Sequence, residues 1–183
     1  MTDKVVSRKG YISADFLTES YRISGDVNLR NQPLVDMLND VNSHFVRVES
    51  VYVSPINDPV VFSAQNPIGQ VRKDRILAVV LPREEDGFAK HTIYSNLGSA
   101  PIIYSLFVAM PGFELRGGLR MGSSSDIENM LIRSVDPFIT IYRATAKLLS
   151  HPDIQFNGGS ILVNREMATM FAVERARSSD SVT

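Results

Sequence analysis

Apolar residues alternate with polar ones in two stretches of the chain that resemble each other. In Tyr21–Leu29 every second residue is apolar or glycine, and the same holds for Phe113–Met121. A period of two is typical of a β-strand with one face in the core. Gly25 and Gly117 occupy matched positions, and 117 minus 25 gives an offset of 92 residues. The pattern predicts a strand in each stretch, with a bend or bulge at the glycine.

Similar offsets relate the neighbouring segments. Upstream, three alternating apolar residues in each half predict a preceding strand: Ile12, Ala14 and Phe16, and Tyr104, Leu106 and Val108. Downstream, residues 35–38 and 127–130 have the spacing of a short amphipathic helical turn. Third strands are predicted at 45–53 and 138–146, and short fourth strands around 60–62 and 154–156. Two strands joined by a tight turn close each half, at 71–80 and 162–171, aligned at an offset of 91.

This organisation predicts a mostly β protein made of two small β-barrels in tandem, each with a short helical insertion. The first barrel is expected at residues 9–82 and the second, an internal repeat of the first, at 101–173. Residues 83–100 are expected to form a connector, since Pro82–Gly87 is charged and turn-forming. Residues 174–183 are expected to be a flexible, solvated tail.

One strand departs from the alternation. Pro101–Met110 is apolar on both strand faces, whereas its counterpart Lys9–Thr18 alternates with polar residues. A strand covered on both sides implies a second buried surface. We therefore predict that Ile103, Phe107 and Ala109 lie at an interface with the other half, the connector or another subunit. This predicts a homo-oligomer or a complex with a protein partner.

Charge and composition exclude some classes of binding. Nineteen Lys and Arg against twenty Asp and Glu give a net charge of −1, so no global basic field attracts nucleic acid or anionic lipid. There are no cysteines, which suits a cytoplasmic protein and excludes disulfides and thiol nucleophiles. No apolar run approaches the roughly 20 residues that span a bilayer, so no membrane association is expected.

The best candidate for ligand binding is a basic turn. Arg72, Lys73 and Arg75 cluster between the two closing strands of the first half, and Arg165 lies in the corresponding turn of the second. Such a turn presents cations to a phosphate or an acidic partner, although a solvated turn that also contains Asp74 has the same sequence. No set of residues has the spacing of a metal site, and no nucleophile and base converge. We therefore expect no metal, no cofactor and no enzymatic activity.

The order of these elements resembles the Sm-like, or SH3-like, small barrels, and residues 71–82 are similar to the end of the bacterial Hfq-type fold. The chain also resembles an uncharacterised bacterial family of such barrels, through Arg22-Ile-Ser-Gly-Asp26 and Leu34-Val-Asp-Met-Leu-Asn39. The resemblance implies RNA binding through the turn between the last two strands. However, the Asp and Asn pair that Sm-like proteins commonly carry before the third strand is replaced here by the helical insertion.

Two functions remain open at this point. The first is a non-enzymatic binding or scaffolding module, acting as a pseudo-dimeric or oligomeric barrel assembly through strand edges and apolar surfaces. The alternative is nucleic-acid or nucleotide binding through the basic inter-strand turn, for which fold analogy alone is a weak argument.

Overall fold

The computed structural model describes residues 9–90, 102–122, 127 and 129–175. In these ranges the strands are β1 Tyr11–Leu17, β2 Tyr21–Asn28, β3 Phe45–Pro55, β4 Ala64–Arg72, β5 Ala78–Leu81, β6 Ile102–Met110, β7 Phe113–Met121, β8 Phe138–Leu148, β9 Gln155–Asn164 and β10 Met170–Arg175. The helical segments are α1 Leu34–Asn39, a π-helical turn Asn129–Arg133, and 3₁₀ turns at Lys73–Arg75, Glu85–Gly87 and Arg165–Met167.

The strands form one antiparallel sheet in the order β10-β6-β7-β8-β9-β5-β1-β2-β3-β4. The predicted mostly β class is confirmed, but the ten described strands form an open sheet and do not close into a barrel. The reason is that β5 pairs with β1 on one side and with β9 of the second half on the other. Among the described residues, the sheet therefore ends in two open edges, β4 and β10.

Strand pairing repeats along the chain at the predicted offset. Ala14 lies opposite Gly25 in the first half, and Leu106 lies opposite Gly117 in the second. Within each half the order of strands is the same, with the fifth strand beside the first and the fourth at the far end. We call strands β1–β5 the first half and strands β6–β10 the second half.

Both predicted bulges are present. The register of β2 against β3 shifts between Ser24 and Asp26, around Gly25. In the second half the register of β7 against β8 shifts around Gly117, between Arg116 and Gly118. A Cβ atom at Gly25 would lie 2.6 Å from the carbonyl oxygen of Glu49, so the bulge brings two backbones too close for any side chain.

Three details of the sequence prediction are wrong. Residues 60–62 lie in a loop, because β3 first pairs with β4 at Val53 and Ala64. The closing segments align at 92 rather than 91, since Phe45 lies opposite Arg72 and Phe138 opposite Asn164, and 164 minus 72 is 92. β10 extends to residue 175, into the predicted tail, because it pairs with β6 as far as Tyr104. Residues 91–100 of the connector and 176–183 of the tail lie outside the described residues.

The buried apolar side chains form two hydrophobic cores. The first core contains side chains from β1, β3 and α1, including Phe16, Leu38 and Val48. The second core contains side chains from β6, β7 and β8, including Leu106, Leu115 and Ile141. In each case the inward positions are those that the period-two pattern marks as apolar.

The cores are coupled because β5 and β9 contribute to both. Val79 of β5 packs in the first core, whereas the next residue, Val80, packs in the second. On β9 the order is similar: Leu162 packs in the first core, and its neighbours Ile161 and Val163 pack in the second. Since successive side chains of a strand point to opposite faces, one strand pair completes both cores.

Replacing Gly117 with alanine is expected to destabilise the protein by about 1–3 kcal/mol, the usual cost of overpacking. The added Cβ would lie 2.7 Å from Cγ2 of Ile141 and 2.9 Å from the carbonyl oxygen of Tyr142. Gly118→Ala is the matched control, because its nearest contact is 3.3 Å from Cγ2 of Ile103. Chemical denaturation followed by circular dichroism measures both. Equal stability of the two variants would contradict the close approach at Gly117.

Leu162→Ala is expected to lower the free energy of unfolding by about 2–5 kcal/mol, because a fully buried leucine is truncated. The matched control is Gln70→Ala at the corresponding position of β4, which is exposed and should change stability by less than about 0.5 kcal/mol. Unfolding is measured in denaturant by circular dichroism. A loss below about 1 kcal/mol for Leu162→Ala would argue against shared cores.

Candidate binding surfaces at the turns and sheet edges

Lys73, the centre of the predicted basic turn, is buried within the first half. Its Nζ donates hydrogen bonds to the carbonyl oxygens of Met37 and Asp40, the latter at 2.9 Å. These carbonyls belong to the C-terminal end of α1, where backbone acceptors lack partners within the helix. Burial lowers the pKa of Lys73, and the nearby Asp40 carboxylate partly offsets this effect. The contacts explain Lys73 as a cap for the insertion.

Arg165 occupies the same position in the second half, since 165 minus 73 is 92. Its guanidinium donates to the carbonyl oxygens of Leu131 and Asp136, each at 2.8 Å, and to that of Ser134. The Leu131 carbonyl lies within the π-helical turn, and the other two follow its end. Each half therefore uses a cation in its closing turn to satisfy the backbone of its own insertion.

The remaining two residues of the predicted ligand site lie on the surface. Arg72 pairs with Asp74 through two hydrogen bonds, of 3.0 Å from Nε and 2.6 Å from Nη2, and Arg75 is exposed. The pairing depresses the pKa of the Asp74 carboxyl and offsets the charge of Arg72. The turn thus presents less positive charge than its sequence indicates.

A cavity of about 280 Å³ lies beside this turn, between α1 and the second half. Two cationic side chains line it, Arg72 and Lys73, together with three carboxylates, Asp40, Asp74 and Glu166. A lining of mixed sign does not concentrate anions. The cavity therefore does not favour a phosphate ligand.

The side chains of two asparagines form hydrogen bonds between the halves near the cavity, and the sequence pattern predicted neither. The Asn39 side chain accepts a hydrogen bond of 2.8 Å from the backbone N–H of Phe138 and donates one of 3.1 Å to its carbonyl oxygen. Asn164 is buried and donates to the carbonyl oxygen of Ile76 at 3.0 Å. A buried amide needs such partners, so these contacts fix the halves relative to each other.

A second contact between the halves lies beside a cavity of about 400 Å³. Arg22 pairs with Asp15 at 2.9 Å, and its guanidinium carbon lies 6.0 Å from the ring centre of Phe156 in the second half. Its Nε is buried and has no hydrogen-bond partner among the described residues. The main role visible for Arg22 is to bridge the two halves.

The predicted interface residues lie together on the outer face of β6, next to the edge strand β10. Ile103 is about half exposed, while Phe107 and Ala109 are partly buried. The guanidinium carbon of Arg116 lies 4.5 Å from the ring centre of Phe107 and covers part of it. The described residues therefore cover this face only in part, and its role as an interface stays a prediction.

Exposed apolar residues also lie at the two open edges. Ile68 of β4 and Met170 of β10 are about half exposed. The same is true of Phe45, which lies opposite Arg72 of β4, and of Leu149, which follows β8. An edge strand also has a row of backbone N–H and C=O groups that are unpaired on its outer side. The edges combine the two features that a strand-adding partner requires.

Neither a metal site nor a membrane-spanning helix is found in the part of the chain that the structure describes. No group of three or more His, Asp or Glu side chains lies close enough together there to hold a metal ion. No helix in the same ranges is long and apolar enough to cross a membrane.

Comparison with known proteins found no matching family model, curated protein or solved structure. The resemblance to Sm-like barrels therefore stays a prediction based on the sequence.

Lys73→Met is expected to lower the free energy of unfolding by about 1–3 kcal/mol, because two carbonyls at the end of α1 lose their partner. Arg75→Met, in the same turn but exposed, should change it by less than about 0.5 kcal/mol. Thermal and denaturant unfolding measure both variants. If Lys73→Met left stability unchanged and instead weakened binding to a polyanion, the ligand-binding prediction would be right and the capping role wrong.

Proposed function

We propose that this protein is a non-enzymatic binding or scaffolding module that holds protein partners by strand addition at its open edges, β4 and β10. One observation carries the proposal: the chain joins its own two halves by this kind of edge pairing. Ala78 to Leu81 of β5 pair with Ser160 to Val163 of β9, and every one of these residues is buried.

The composition of the edges supports this proposal. In strand addition, backbone hydrogen bonds provide affinity and alternate side chains provide specificity. Isolated proteins usually protect a long open edge with charges, proline or a covering loop. Here β4 contains Pro67, but its last residues, Ile68-Gly-Gln-Val-Arg72, have no proline, and the Ile68 side chain is half exposed. β10 begins with Met170, which is also half exposed.

We further propose that each half is a unit of the Sm-like kind, which makes the chain a pseudo-dimer. The support is the recurrence of the same strand order, the same bulge after the second strand begins, and the same strand, tight turn and strand at the close of each half. Nucleic-acid binding, the alternative, would depend on Arg72 and Arg75, since Lys73 and Arg165 donate to backbone carbonyls.

Site-specific crosslinking tests the edges as binding surfaces. A photoreactive amino acid is placed at Gln70 on β4 or at Ala172 on β10, and the full chain is expressed in its own cells. Both positions are exposed and lie at an open edge. The control position is Ser13, which is exposed on β1, a strand paired on both sides. We expect discrete crosslinked protein products from both edges and much less product from Ser13.

The crosslinked partner is identified by mass spectrometry. Products from an edge that contain any protein partner support the proposed function. Absence of products from both edges, or an equal yield from Ser13, would contradict it. Nucleic acid in the products, lost when Arg72 and Arg75 are changed to alanine, would favour the alternative.

A further inference from the structure

The two strands that form the junction between the halves each have a counterpart at an edge of the sheet. At the junction Ala78 of β5 lies opposite Val163 of β9, and Leu81 lies opposite Ser160. The counterpart of β5 in the second half is β10, and the counterpart of β9 in the first half is β4. These are the two open edges. The chain therefore carries both partners of its own junction a second time, at opposite ends of the sheet.

On the β10 side, residues that are buried at the junction have exposed counterparts. Ala78 is 1% exposed, whereas its counterpart Met170 is 49% exposed. Ile56 is 7% exposed, whereas Leu149 is 51% exposed. These two are matched by their backbone bonds, because the N–H groups of Ile56 and Leu149 donate to residues 20 and 112, which are 92 apart. Both positions are therefore apolar in each half, although only Ala78 and Ile56 are buried.

The β4 side shows the same relation. Phe138 at the start of β8 is 2% exposed because it packs in the first core, across the junction. Its counterpart Phe45 at the start of β3 is 48% exposed. A large, half-exposed aromatic side chain at a strand end provides apolar surface whose burial by a partner would be favourable. It is expected where a second core lies against it, as at Phe138.

We propose that β10 of one copy of this chain pairs antiparallel with β4 of a second copy, so that the junction between halves is repeated between molecules. This inference rests on the proposed function, because it names the partner of the same edges. The register follows from the internal pairing at the offset of 92: Met170 lies opposite Val71 of the second copy, and Val173 lies opposite Ile68.

The assembly is head to tail, because the two contacting surfaces differ. Such a contact closes into a ring if its rotation divides a full turn, and otherwise continues as a filament. The contact between copies is weaker than the internal one. Asn39, which makes two hydrogen bonds to Phe138, is matched by Leu131, which has no amide. The assembly should therefore dissociate on dilution.

Light scattering on the purified full chain tests the assembly. Two variants each block one edge with lysines, which oppose edge pairing: Ile68→Lys with Gln70→Lys on β4, and Met170→Lys with Ala172→Lys on β10. All four positions are exposed, so the fold should survive, and circular dichroism checks this. The control is Val60→Lys with Val61→Lys, an exposed apolar loop that takes no part in the internal junction.

We expect the unmodified chain and the loop control to be oligomers, with masses of two or more times 20.3 kDa. Each edge variant alone should be a monomer. An equal mixture of the two edge variants should form a dimer of twice 20.3 kDa, because one retains β10 and the other retains β4. A monomeric unmodified chain at every concentration, or self-association of either folded edge variant alone, would overturn the proposal.

The register has its own test, made simple because the chain has no cysteine. Ile68→Cys in one copy and Val173→Cys in another should form a disulfide under mild oxidation, since directly opposed residues bring their Cβ atoms within bonding reach. Ile68→Cys with Met170→Cys, three residues out of register, should not. Equal yields from the two pairs would overturn the proposed register.

The crosslinking described for the edges separates the two proposals. Edge products that contain only other proteins, with a monomeric purified chain, would refute the second copy and leave the binding function standing. No edge products at all would refute both. Edge products that contain this chain itself support both.

Discussion

The pairing of β5 with β9 is the interaction on which the rest of this structure depends. A strand with both faces buried is unusual in an antiparallel sheet, where one face commonly meets water. Here both strands send alternate side chains into different cores, so Val79 and Leu162 complete the first core while Val80 and Ile161 complete the second. Neither half has a complete core without the other. The pairing therefore joins the two halves into one body with shared cores.

The same pairing creates the open ends of the sheet. The two halves have the same strand order and join through the fifth strand of one and the fourth strand of the other. One fifth strand and one fourth strand are therefore left without partners among the described strands. In this chain those strands are β10 and β4, and the side chains beside them remain apolar, as at Phe45 and Met170. Edge strands of this kind are a liability unless something pairs with them. The repeated strand order thus links the fold of the chain to its proposed way of binding.

The basic turn shows how a local signal changes meaning in the folded chain. In sequence, Lys73 is one of three neighbouring cations and suggests an anion site. In the structure its ammonium group is surrounded by the backbone carbonyls of Met37 and Asp40, more than thirty residues earlier. Arg165 has the corresponding role in the second half. Two cations that are equivalent by the repeat have equivalent structural partners, which is stronger support for capping than either contact alone.

The local pattern of residues was sufficient to predict part of the fold. The alternation of apolar residues predicted most strands, and Gly25 and Gly117 predicted both bulges, because these features depend on neighbouring residues in one strand. The same reasoning failed at residues 60–62, where β-forming side chains lie in a loop since β4 begins only at Ala64. It also missed Asn39 and Asn164, whose partners lie far away in sequence.

The mostly β class and the positions of the bulges follow from the pattern of residues along the chain. The shared open sheet, the capping roles of Lys73 and Arg165, and the choice of which described edges stay unpaired follow from the three-dimensional fold. The physical reason is that a strand has two edges, and nothing in its own side-chain pattern says which other strand will pair with each. That choice is made by long-range packing, here by the apolar residues on both faces of β5 and β9.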